Sequence, residues 1–156
     1  MSEYNKHVGQ RIAIAHLIAR SSPCPRAQVG AVIFHPESWA IVSDGYNGPP
    51  RGGGHLCGGD VCHRTERGVA SGERCEVGCH HAETNALMNA LRHGSATMGA
   101  WMVTTRPPCL MCAKAVHHAG ITRVYCPPED SDDGEGEGEG TRYLRRHKVE
   151  VLTFEG

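Results

Sequence analysis

Aromatic side chains are scarce in this chain of 156 residues: two Trp, two Phe and four Tyr make up 5% of it. Proteins that hold polynucleotides usually stack bases on aromatic platforms above a broad basic surface. With so few rings and a formal net charge of −1, a nucleic-acid partner is not expected. Long apolar runs are missing too. The longest, from Ile12 to Ala19, is broken by His16 and bounded by Arg11 and Arg20, far short of the ~20 residues of a membrane span. The opening Met-Ser-Glu-Tyr-Asn-Lys-His lacks the basic start, apolar stretch and cleavage site of a secretory leader. The expectation is a cytoplasmic protein with no membrane partner. At ~100–200 residues per domain, residues 1–156 read as one domain.

Lysine is also rare. Of the 16 basic residues, 13 are Arg, whose planar fork suits bidentate binding of phosphate. Seven of the 17 acidic residues lie in the segment 129–140, which has no basic residue, so the rest of the chain carries 16 basic against 10 acidic side chains. The near-neutral total conceals a basic body with an acidic insert. What is abundant is Cys and His, eight and eleven of them. In a reducing compartment such a set argues for metal before disulfides.

Val8, Ile12, Ala15 and Ala19 recur at helical spacing and predict a helix over about 5–19, ended by Ser-Ser-Pro-Cys-Pro. Two short apolar runs, 28–35 and 39–44, predict strands joined by a turn at Pro36, Glu37 and Ser38. The Gly- and Cys-rich stretch 45–80 reads as an inserted loop, unusually long unless something ties it down. Beyond it a helix (81–92), strand (100–105), helix (109–119) and strand (122–126) alternate. Such alternation implies crossover units and a largely parallel sheet with helices on its faces. The Gly-Glu repeat within 129–140 offers no apolar side chain to bury and reads as a solvated loop. A short helix (141–147) and a strand (149–154) close the chain.

Pro108-Cys109-Leu110-Met111-Cys112 sets two Cys three apart at a predicted helix start, where both sulfurs face one way and the helix dipole favours thiolate. Upstream, His81-Ala82-Glu83 puts an imidazole and a carboxylate at the start of the preceding helix. One His and two Cys give zinc three protein ligands. That count leaves a fourth position for water and marks a catalytic site. Glu83 is then placed to take a proton from that water without being a ligand. His-x-Glu followed by Pro-Cys-x-x-Cys is the zinc deaminase signature.

With these motifs go Cys24-Pro-Arg26-Ala-Gln-Val-Gly-Ala-Val-Ile, Gly45-Tyr46-Asn47-Gly48-Pro-Pro-Arg-Gly, Gly72-Glu73-Arg74 and His81-Ala-Glu-Thr-Asn85-Ala-Leu. Over nearly its whole length the chain resembles the cytidine deaminase superfamily and, within it, the deoxycytidylate (dCMP) deaminases. Gly-Tyr-Asn-Gly is the most discriminating stretch, because deaminases of free cytidine and of tRNA do not usually carry it in this form. The resemblance implies an α/β fold in three layers, α/β/α, around a central mixed five-stranded sheet. It also implies conversion of dCMP to dUMP with release of ammonia, supplying precursor for thymidylate synthesis. Asn47, Ala82 and Arg26 would contact substrate. Gly45, Tyr46, Asn47 and Gly48, with Arg92, would form a site where dCTP activates and dTTP inhibits, in a homohexamer. Read from local chemistry alone, Asn47 is a residue at home in a Gly-flanked turn, and Arg92 a favourable charge in the last turn of a helix.

The resemblance further implies a second, structural zinc, with residues matching Cys24 and Cys57 among its ligands. Its candidate pool is Cys24, Cys57, Cys62, Cys75 and Cys79, with His63 competing for one of four places. Here the chain departs from the common spacing, since Cys75 and Cys79 bracket the position where a single Cys is usual. Cys126, on a predicted strand, reads as an unligated small hydrophobe. Three readings compete with dCMP deamination. One is a deaminase of another cytosine nucleotide, such as 5-substituted dCMP or dCTP. Another is a deaminase of bases within nucleic acid. The last is a non-catalytic module stapled by zinc, in which Glu83 would have no purpose.

Overall fold

The computed structural model describes residues 3–49, 61–70, 73, 78–129 and 137–155. Its strands are β1 (Gly30–Phe34), β2 (Ile41–Tyr46), β3 (Trp101–Thr104), β4 (Arg123–Cys126) and β5 (Glu150–Thr153). They form one sheet in the order β2-β1-β3-β4-β5. The helices are α1 (Glu3–Ala19), α2 (His63–Glu66), α3 (Ala82–Arg92), α4 (Leu110–His118) and α5 (Glu139–Arg146). Among the described residues, no helix is long and apolar enough to cross a membrane.

The period-2 alternation of the strands separates two cores. Ala31 and Ile33 of β1, Met102 of β3, Val124 and Cys126 of β4 and Val151 of β5 face one way, onto Ala82, Ala86, Leu87, Ala113, Val116 and Leu144 of α3, α4 and α5. Val32, Phe34, Val103 and Tyr125 face the other way, onto Val8 and Ala15 of α1. Both faces of β1 are therefore covered, and all five of its residues are buried. This is the three-layer α/β/α arrangement. The sheet is mixed: β1 runs antiparallel to β2 and β3, while β3, β4 and β5 are parallel. The parallel pairing read from helix–strand alternation holds for the second half of the chain, where α4 and α5 are the crossovers.

Several boundaries differ from those expected. Gly45 and Tyr46 are not loop but the end of β2, opposite Ala31 and Gly30. Glycine stands there because α3 lies directly on the strand. A Cβ on Gly45 would sit 2.6 Å from Ala82 O and 2.8 Å from Asn85 C, and closer still to Ala86 N. The stretch 45–80 also contains the single turn α2, and its ends are joined by a bridge in which Gly48 N donates to His80 O (3.1 Å) and His80 N to Gly48 O (2.9 Å).

The end of the acidic segment is packed, not solvated. α5 starts at Glu139, and Gly140 is buried with Pro108 and Cys109 against its Cα. The Glu129 carboxylate accepts the Gly138 N–H that precedes the helix. Residues 130–136 lie outside the described residues.

Candidate active site

His81 and Cys109 are the N-cap residues of α3 and α4, each in extended conformation, and neither side chain caps its own helix. Both are thus free to point away from their helices toward each other. His81 Nδ1 lies 3.4 Å from Cys109 Sγ and 3.4 Å from Cys112 Sγ. The three ligand atoms fall within 4.8 Å of one another. A tetrahedral zinc with Zn–S ~2.3 Å and Zn–N ~2.0 Å has N···S edges of ~3.5 Å, so the trio is already spaced for that ion. Cys112 is buried, Cys109 half-buried and His81 exposed, which leaves the ligand set open to solvent on the imidazole side. Among the described residues no other group of three ligands converges in this way.

The electrostatics suit a cation. The Cys109 thiol is pushed down to about 3, chiefly by a hydrogen bond from the Cys112 thiol, then by His81 and the Cys112 amide, against the opposing effect of burial. That hydrogen bond, burial and the nearby Glu83 charge raise Cys112. His81 is raised by the same Cys109 sulfur. The N-terminus of α4, which carries both sulfurs, adds to this bias. The Thr84 hydroxyl, one turn inside α3, reaches Cys112 Sγ at 3.7 Å.

Glu83 is 3% exposed and is not part of the ligand trio. Burial pushes its carboxyl up from the ordinary range, against its own backbone amide and the charge of His81. A buried carboxyl beside a metal site, not spent on the metal, can take and return a proton. Its Oε1 lies 3.5 Å from Thr104 Oγ1 on β3. Thr84 falls inside the His81-Ala-Glu-Thr-Asn85 stretch, whereas Thr104 belongs to no motif. The available signal for Thr104 was a polar residue at a core-facing position of a buried strand.

The Ala82 methyl is fully buried in the core, so only its backbone, in the first turn of α3, remains for a ligand. Asn47 is 7% exposed, and its side chain clamps the 27–29 segment: Nδ2 donates to Ala27 O (2.8 Å), and Oδ1 accepts from Val29 N (2.8 Å). Asn47 O accepts from the Ser22 hydroxyl at 2.6 Å. Arg26 donates to Val69 O at 3.4 Å and touches the Cys62 thiol.

Gly45, Tyr46 and Arg92 line a cavity of about 430 Å³ with Asp44, His80 and Asn85. Gly48 lies outside it, in the bridge to His80.

None of the six described cysteines is in a disulfide. Within the second-zinc pool, Cys24 and Cys79 are half-buried and Cys62 is buried, while Cys57 and Cys75 lie outside the described residues. Although burial opposes it, the Thr65 and Arg64 backbone and the Arg26 side chain bring Cys62 down to about 7. His63 pairs with Glu66 at 3.0 Å.

Residues 6–127 match the family described as the cytidine and deoxycytidylate deaminase zinc-binding region. The deoxycytidylate deaminase of Enterobacteria phage T4 is 32% identical over 152 residues, with 78% of each chain covered. The human deoxycytidylate deaminase is 39% identical over 115 residues, covering 72% of this chain and 60% of its own. The crystal structure of the dCMP deaminase from cyanophage S-TIM5 in complex with dCMP and dUMP superposes with a TM-score of 0.74 at 26% identity, covering 99% of both chains.

Proposed function

The chain belongs to the cytidine and deoxycytidylate deaminases, zinc-dependent hydrolases, and on that premise we propose that it converts dCMP to dUMP. The observation that carries the reading is the His81, Cys109 and Cys112 trio, converging at spacings that suit a zinc ion, and the buried Glu83 beside it. The solved relative that holds dCMP and dUMP supports this choice of nucleotide.

His81 Nδ1 and the two sulfurs would hold the metal, which would supply Lewis acidity. Glu83 takes a proton from the attacking water as its oxygen adds to C4 of the pyrimidine, and delivers it to N3. The same carboxyl then takes the remaining water proton and gives it to the amino group. The C4–N bond breaks and ammonia leaves with its electron pair, so one water is consumed for each ammonia released. Burial of Glu83 favours this shuttle, because a group kept near the balance between its two protonation states can act in both directions.

The finer reading completes the role. The enzyme is a cytoplasmic homohexamer whose product supplies thymidylate synthesis. dCTP activates it and dTTP inhibits it at the cavity formed by Gly45, Tyr46 and Arg92, with Asn47 and Gly48 behind it. Arg26, Asn47 and the Ala82 backbone contribute to the nucleotide site. A second zinc draws its ligands from Cys24, Cys57, Cys62, Cys75 and Cys79, and the backbone amides of Arg64 and Thr65, which lower the Cys62 thiol, support its membership. The chain is a single domain with insertions between β2 and α3 and between β4 and α5.

An ammonia-release panel tests this: dCMP, its 5-methyl and 5-hydroxymethyl forms, CMP, dCTP and deoxycytidine, each with and without dCTP and dTTP. dCMP should be the preferred substrate. Glu83→Gln should lose at least ~10²-fold in turnover while still holding its zinc. A Glu83→Gln protein with near-normal turnover would refute the assignment of the proton shuttle.

A further inference from the structure

β3 turns Met102 toward α3 and α4, and Val103 toward α1. By alternation Thr104 faces the side of Met102, and it is fully buried. A valine would fill the same space on a strand, so the hydroxyl is the feature that needs a reason. An unpaired buried hydroxyl is costly, and this one is not unpaired. It has a single hydrogen and two acceptors within reach, Arg106 O at 3.0 Å and Glu83 Oε1 at 3.5 Å.

We infer that Thr104 is a positioning residue for Glu83, its hydroxyl engaging one carboxyl oxygen and so fixing how the other is presented to substrate. The inference rests on the deaminase reading of the site. The terminal torsion of a glutamate is broad and roughly two-fold, so burial of the stem alone leaves the carboxyl plane poorly defined. A contact from below to one oxygen removes that freedom. The contact is itself stiff: Thr is β-branched with a restricted χ1, and its hydroxyl is held by the carbonyl of Arg106, three residues before Cys109. One side chain thereby ties the proton carrier to the segment that places a metal ligand.

The test compares Thr104→Val, which keeps shape and removes the hydroxyl, with Thr104→Ser, which keeps the hydroxyl. Zinc content, melting temperature, kcat and KM for dCMP are measured for each. Thr104→Val should retain zinc and bind dCMP with a KM within about twofold of wild type, while kcat falls about tenfold, the scale of one hydrogen bond to a charged group. Thr104→Ser should recover most of that loss. A folded, zinc-loaded Thr104→Val with unchanged kcat overturns the role of Thr104 alone, as would equal impairment of Val and Ser. A zinc-loaded wild type that releases no ammonia from any cytosine nucleotide overturns both this role and the reading on which it rests.

Discussion

Replacing Gly140 by alanine should damage the metal site through the backbone rather than through any ligand. Gly140 is in the first turn of α5, and a Cβ there would sit 2.8 Å from Cys109 C and 2.9 Å from Pro108 C, inside the contact distance of Pro108 O. Ordinary contacts begin near 3.4 Å, so the two segments must part by at least ~0.6 Å at Cys109 C, and by more at the carbonyl. Every atom in the way is backbone, so no rotamer change relieves the overlap. Overpacking of this kind costs about 1–3 kcal/mol, and the upper end applies here. At about 2–4 °C per kcal/mol for a chain of this size, melting should fall by roughly 6–12 °C. Metal sites tolerate errors of only ~0.2 Å in ligand position, so the displaced Cys109 should also lower zinc per chain. Differential scanning calorimetry and metal analysis read both quantities. Gly9→Ala is the control: it lies inside α1 with nothing within 4 Å, and should gain up to ~1 kcal/mol from helix propensity. If Gly140→Ala melted with wild type and kept its zinc, the inferred backbone contact would be refuted.

Asn47→Asp keeps an acceptor for Val29 N but places an oxygen against Ala27 O in a buried position; melting of the ligand-free protein should fall by the equivalent of about 1–3 kcal/mol, whereas a residue serving ligand alone would leave it unmoved. Burial pushes the Cys126 thiol up to about 12 from 9.0, so its contribution to stability is fully present below pH 9.0 and is lost as pH rises toward about 12, because the unfolded chain ionises first. Urea midpoints over that interval should fall more steeply for wild type than for Cys126→Val, and parallel slopes would count against it.

The ligand trio and Glu83 were legible because their signals are local. Thiol and imidazole chemistry, the three-residue step of Cys109 and Cys112, and the start of a helix at each half of the motif need no knowledge of the rest of the fold. The parallel half of the sheet was legible for the same reason, from the alternation of elements. What sequence could not supply was apposition. Thr104 meets Glu83 only through the folding of β3 toward the start of α3, and Thr84 meets Cys112 only because α3 and α4 start side by side. Gly45 and Gly140 look like loop glycines, yet both are required by another backbone passing close. Asn47, in a stretch that suggests turn chemistry, is spent on an amide clamp between the end of β2 and the segment before β1.

The contact of Gly45 with α3 has a mechanical side. Where side chains lie between two elements they change rotamer and absorb small displacements, like a cushion. At Gly45 the backbone of β2 meets that of α3 directly, and the seam on either side is stitched by Ser43 Oγ to Ala86 O (2.7 Å), Asn85 Nδ2 to Tyr46 O (2.8 Å) and Asn89 Nδ2 to Asp44 O (2.7 Å). α3 is a rod of 11 residues, about 16 Å long, with His81 and Glu83 at one end and Arg92, on the cavity wall, at the other. A molecule that wedged Asp44 and Tyr46 away from this rod would tilt it as a lever with Glu83 at its far end. Any such coupling is reciprocal: the free energy by which cavity filling would alter metal affinity is the same by which metal loss would alter affinity in the cavity.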